Sequence, residues 1–129
     1  MPWLLIGLLT VYTLALGLEN PSLFKDEWPW VLVYYGMGLL GDLATTLKGL
    51  EKGYREGNLL YARALTLGPW GMPLVDLGLI SLKTVFLNRL QDSFADTDDP
   101  VLSYTLALTI GGHGHLVSTI WNTGQLLRR

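Results

Sequence analysis

Five ionisable side chains in this sequence stand in runs that are otherwise apolar: Asp42, Asp76, Lys83, His113 and His115. Groups of this kind in apolar surroundings cost several kcal/mol (about 3 each at the centre of a bilayer) unless paired or hydrated; once paired, they exchange protons or bind cations. Two histidines with two carboxylates also make a donor set for a divalent metal. His113 and His115 would carry such a metal, but residues two apart on a helix point about 200° from one another. They reach one ion only if the helix unwinds, which Gly111, Gly112 and Gly114 would allow around a cavity. In an intact helix the glycines are packing contacts, and each histidine bonds to a different neighbour. No nucleophile elbow, phosphate loop, HExxH or haem-attachment motif accompanies these residues, so no catalytic residue is assigned and no cofactor is evident.

The surroundings of these groups define the class of protein. Of 129 residues, 50% are hydrophobic, 16% are charged and 15 are glycine, whereas a soluble domain carries about 25% charge. A helix needs about 20 apolar residues to cross a bilayer, and four apolar stretches of roughly that length can be delimited: 2–18, 30–48, 69–90 and 101–127. The expected fold is therefore all-α, a single polytopic membrane domain built as a four-helix bundle. The first stretch ends in Ala15-Leu16-Gly17, small residues of the type a signal peptidase cuts, but no basic residue precedes it, and it is read as a span. The absence of cysteine excludes disulfides, thiolate chemistry and cysteine metal sites. A net charge of -2 without a basic block excludes a nucleic-acid partner.

Lysine and arginine set the orientation. Lys48, Lys52, Arg55 and Arg63 lie between spans two and three and Arg128 and Arg129 come after span four, against Lys25 and Arg89 on the other side. Both termini are accordingly expected in the cytoplasm (N-in/C-in), in a multi-pass protein of the cell inner (plasma) membrane. Trp28, Trp30 and Tyr104 then fall at the outer interface, and Trp3, Tyr54, Tyr61 and Trp121 at the inner one. Residues 59–67 read as a short amphipathic helix in the interface. Asp99-Pro100 reads as a helix start, and the outer loop with Asp92, Asp96, Asp98 and Asp99 lacks the ligand spacing of a calcium loop.

This topology puts Asp42, Asp76, His113 and His115 within about 5 Å of the midplane at 1.5 Å per residue. On span two, Tyr35, Gly38, Asp42, Thr45 and Thr46 form a small, polar stripe; on span four, Gly111, Gly112, His115, Ser118, Thr119 and Asn122 do the same. Spans two and four are thus expected as neighbours, with Asp42 facing His115. Asp76 and Lys83, seven apart, share a face of span three, and the lysine leans toward Asp76.

Asp42-x-x-Thr45-Thr46, then Leu50 and Gly53-x-x-Glu56-x-Asn58, resembles the motif of an uncharacterised family (a domain of unknown function) of small prokaryotic multi-span membrane proteins. The likeness covers about 20 residues, with Leu59 where that family has proline. It implies a multi-helix membrane fold and importance for Asp42, Thr45, Glu56 and Asn58, and names no activity. Locally, Thr45 and Thr46 can bond back to carbonyls of the preceding turn, Gly53 permits a left-handed residue after the helix, and Asn58 can cap the next element.

Three functions fit these features. The leading one is a noncatalytic accessory or assembly component that packs against other membrane subunits, or against itself as a homo-oligomer, in the lipid bilayer. Another is a proton- or cation-handling transporter or channel using Asp42, Asp76, His115 and Lys83. The third is an intramembrane metal-binding enzyme using His113 and His115.

Overall fold

A computed structural model describes residues 2–56, 59–95 and 99–128. The chain is all-α: α1 (Trp3–Glu19), α2 (Pro21–Lys25), α3 (Trp28–Glu51), α4 (Leu59–Leu65), α5 (Gly71–Ala95) and α6 (Pro100–Leu127). The four long helices cover the four expected stretches. The two short ones depart from expectation. Pro21 opens the short helix α2 because proline suits the first helical position, and α4, expected in the interface, packs against α5 and turns Tyr61 inward. Asn58, Asp96 and Asp98 lie outside the described residues.

The central element is α6, which packs against α1, α3 and α5. It runs parallel to α3 and antiparallel to α1 and α5, so one end of the bundle carries the termini and the α3–α4–α5 connection, and the other carries α2 and the α5–α6 connection. Glycine sets the closest approaches. A methyl on Gly38 would meet His115 Cβ at 3.2 Å and the Gly112 carbonyl at 3.3 Å, and one on Gly112 would overlap the Tyr34 ring. These are the small-residue contacts expected between spans two and four.

The helix ends obey the local sequence. Asp99 caps α6 by accepting from the Leu102 amide at 3.2 Å, and its other oxygen takes Lys25 at 2.6 Å, tying α2 to the start of α6. At the end of α3, Gly53 adopts φ +90, Tyr54 N donates to Gly49 O at 2.9 Å and Gly53 N to Leu50 O at 3.0 Å. This paired closure needs a residue that tolerates the left-handed region. It also directs Tyr54, whose hydroxyl donates to the Gln125 carbonyl near the end of α6 at 3.0 Å. Between α4 and α5, Gly68 has φ +116 and Gly71 lies so close to Ala64 that a β-carbon would overlap the Ala64 carbonyl.

Many polar side chains are buried beside the apolar core, and many large apolar ones are exposed. Thr13, Asp42, Thr46, Asp76, Gln91, Ser103, Thr105 and His115 are buried, while Leu4, Met37, Leu74, Leu82 and Ile120 are each more than 60% exposed. Among the described residues one stretch, Gly71–Ser93, is long and apolar enough to cross a membrane, and α1 is a shorter apolar helix. The apolar core, with Phe24, Ile80, Leu87, Leu102, Leu106 and Leu108, occupies the half of the bundle nearer α2.

This packing generates two expected outcomes. Gly71→Ala should destabilise the fold by about 1–3 kcal/mol, because the overlap is with backbone and no rotamer relieves it; thermal unfolding followed by helical circular dichroism in mild detergent measures this. The second concerns pH. The hydrogen bond from Lys25 holds the Asp99 carboxyl below its ordinary range, and the same bond raises the Lys25 ammonium. The Asp99 contribution is therefore present above the ordinary carboxylate range and lost as pH falls through its depressed value. The Lys25 contribution is present below the ordinary ammonium range and lost as pH rises through its raised value. Replacing Asp99 by Asn should flatten both edges of the stability profile.

Candidate functional site

The Asp42 and Asp76 side chains, from α3 and α5, meet on a single imidazole from α6. His115 Nδ1 lies 2.7 Å from Asp42 Oδ2, and His115 Nε2 lies 3.0 Å from Asp76 Oδ2. All three residues are buried, Asp42 the most exposed of them at 5%. The expected Asp42–His115 pair is present, and Asp76 joins it.

The position of His115 is a consequence of helical geometry. Thr119, one turn later, donates to the His115 carbonyl at 2.7 Å, while Gly38 lets α3 approach closely enough for Asp42 to reach the ring. Thr45 donates to the Gly41 carbonyl at 2.8 Å, the expected back-bond, whereas Thr46 turns its hydroxyl to Asp42 Oδ1 at 3.4 Å. Asn122 completes this wall, its amide nitrogen lying 3.3 Å from Asp42 Oδ1, 3.2 Å from the Thr45 hydroxyl and 3.3 Å from that of Thr46.

Asp76 is held more tightly. The Tyr35 hydroxyl donates to Oδ2 and the Tyr61 hydroxyl to Oδ1. Tyr35 also meets the His115 ring edge-on, with centroids 5.8 Å apart, and Tyr61 stacks on it at 6.3 Å. Sequence spacing assigns Tyr35 to a packing stripe and Tyr61 to the interfacial aromatics. The polar side of Tyr35's stripe is the available signal for the first, but no feature of the sequence marks Tyr61, which reaches the site because α4 folds back.

Lys83 departs from the expected pairing, and of the two readings of His113 and His115 the intact helix with separate partners is the one observed, not the shared metal site. Lys83 does not neutralise Asp76: Asp76 takes its partners from three other helices, and among the described residues Lys83 forms no ion pair. His113 and His115 do not share a ligand site. The helix continues through Gly111–Gly114, so the two rings face apart, and His113 bonds Tyr34 at 2.6 Å and Thr13 at 2.9 Å. Among the described residues no cluster of three or more His, Asp or Glu side chains could hold a metal ion.

A cavity of about 560 Å³ opens on the triad. Asp42, Thr45, Thr46, His115 and Asn122 line its polar side, Tyr54, Arg55 and Glu56 stand at the end bearing the termini, and Lys83 lines it on α5. Glu56, expected to matter from its motif, is thus placed at the cavity.

The chemistry can be derived by counting protons. Each nitrogen of His115 faces a carboxylate oxygen, so two hydrogens must occupy the two gaps. An imidazolium between two carboxylates meets this count, as does a neutral imidazole beside one protonated carboxyl, and both carry one net negative charge. They differ by a proton shift along one hydrogen bond, so the ring can accept at one nitrogen and release at the other without turning. No protein-family model, curated protein or solved structure matches this chain.

Leaving either carboxylate buried without its partner is the costly state. His115→Ala should therefore lower stability by about 3–5 kcal/mol, whereas the triple variant Asp42→Asn, Asp76→Asn, His115→Gln should lose less than His115→Ala alone. Unfolding in mild detergent compares them; a triple variant less stable than the single one would show that unpaired charge is not what His115 prevents.

Proposed function

We propose that this chain is a four-span protein of the prokaryotic inner membrane, with both termini cytoplasmic, that handles protons through Asp42, His115 and Asp76. The observation that carries the proposal is the imidazole bonded at both nitrogens to carboxylates of different helices, with a cavity reaching one side of it. The membrane setting is supported by two features together: hydroxyls, carboxylates and an imidazole are buried beside the apolar core, and many leucines and other large apolar side chains are exposed. The cytoplasmic orientation rests on Lys48, Lys52, Arg55 and Arg63, which lie at the end of the bundle where the cavity opens.

A proton is favoured over a metal cation because the carboxylate oxygens are already occupied by protein donors. Asp76 accepts from Tyr35, Tyr61 and His115, leaving little room for coordination. Asp42 is the entry side. Its Oδ1 has only the long contacts to Thr46 and Asn122, and it lines the cavity. From Asp42 the path continues through the ring to Asp76 and then to Tyr35, which sits about 10 Å further along α3 at 1.5 Å per residue. Beyond Tyr35 stands the apolar core, so the path is open from the cytoplasmic side alone in this conformation. A purely packing role as an accessory subunit is less well supported, since it calls for neither the cavity nor the triad.

Proteoliposomes carrying a pH gradient and an internal pH dye test the proposal. The wild-type chain should dissipate the gradient faster than protein-free vesicles; Asp42→Asn and His115→Ala should abolish the difference, and the exposed Asp26→Asn should retain it. Wild-type traces that superimpose on empty vesicles would sink the proton reading.

A further inference from the structure

Lys83 has no role in the triad. It stands on α5 seven residues beyond Asp76, about 10 Å along the helix, and it lines the same cavity. Among the described residues it pairs with no carboxylate. Of the three carboxylates that line the cavity, Asp76 is bonded to His115 and two tyrosines, Asp42 to His115, Thr46 and Asn122, and Glu56 stands at the mouth with Arg55. An ammonium at this depth, on the membrane reading above, is costly without a counter-ion. The cavity around it is large enough to enclose a small molecule, at about 560 Å³. Opposite the polar wall it is lined by Trp3, Ile6, Leu79 and Ile110. One cation, Lys83, lines a hollow that has a polar wall and an aliphatic and aromatic one, and a second, Arg55, stands at the mouth.

We propose that this cavity binds an amphiphilic anion, with a carboxylate or phosphate head on the Lys83 ammonium and an aliphatic body along Trp3, Ile6, Leu79 and Ile110. Charge complementarity sets the sign of the head: Asp42 and Asp76 already have donors, and the group left without an ion-pair partner is the cation. The apolar wall sets the body, because a compact hydrophilic anion would leave that surface against water. The proposal rests on the membrane reading, and it deepens that reading by adding an anion beside the proton site.

Tryptophan fluorescence reads occupancy directly, since Trp3 and Trp121 both line the cavity. The full chain in mild detergent is titrated with brominated stearate, with its methyl ester, and with a brominated phosphatidate. The ester reports quenching of the tryptophans outside the cavity through the micelle. The expected result is saturable quenching by an acid and a non-saturable response to the ester. Lys83→Gln should raise the half-saturating concentration by about tenfold or more, the scale of a lost charge-assisted bond, and Lys83→Arg should restore it. Tighter saturation by phosphatidate assigns the head to a phospholipid, and tighter saturation by stearate assigns it to a free fatty acid. If neither acid quenches wild type more than the ester does, or if the Lys83→Gln and wild-type curves coincide, the proposal is overturned. The wild-type comparison decides even if Lys83→Gln fails to fold. Lys83-dependent binding without proton flux would remove the relay and keep this site; flux without such binding would do the reverse.

Discussion

The structure depends on one imidazole held at both nitrogens. His115 belongs to α6, and its two partners belong to α3 and α5, so a single ring fixes the relative height of three helices. The pairing is conditional on close packing, because Asp42 reaches the ring only where α3 approaches α6 at Gly38. The need runs the other way too. Two buried carboxylates without a shared donor would repel one another and pull water inward, and the surrounding hydroxyls and amide of Tyr35, Tyr61, Thr46 and Asn122 make sense as the groups that complete their hydrogen bonding.

The same logic extends away from the triad. At the other end of the bundle Gln91 donates to the Asp99 carbonyl at 3.0 Å and to the Ser103 hydroxyl, and Ser103 donates to Asn88 at 3.2 Å. Between the two nodes, Thr13, Tyr34 and His113 link α1 to α3 and α6. Long helices with leucine-rich exteriors are thus joined by buried polar contacts at several heights. In an apolar solvent, where burying leucine contributes little, such contacts and small-residue packing are the means by which helices choose neighbours.

Much of this is legible in the sequence, and the limits have physical causes. The recurrence of small and polar residues every three or four positions identifies the facing sides of α3 and α6, and equal depth identifies Asp42 and His115 as partners. Asp99-Pro100 and Gly53 announce helix ends because capping and left-handed backbone are local requirements. Depth places Asp76 at the same level, but its full set of partners escapes such reading for the opposite reason. Its spacing from Lys83 places the two on one face, but its partners come from α3, α4 and α6, and tertiary contacts of that kind leave no periodic trace. Tyr61 is the sharpest case, since a short helix lying on the surface and one turned inward have similar sequences.

The dry core and the cavity divide the bundle unevenly along its length. If the bundle spans a bilayer as proposed, a cavity that admits water takes the potential of the compartment it opens to, and most of the membrane voltage would fall across the compact half that holds Phe24, Leu87, Leu102 and Leu106. The triad stands at the inner edge of that field. On the proposed reading, a proton crossing the compact half would gain or lose about 2.3 kcal/mol per 100 mV, and the placement of a few leucines and a phenylalanine would make the protonation of His115 and its partners answerable to the membrane voltage.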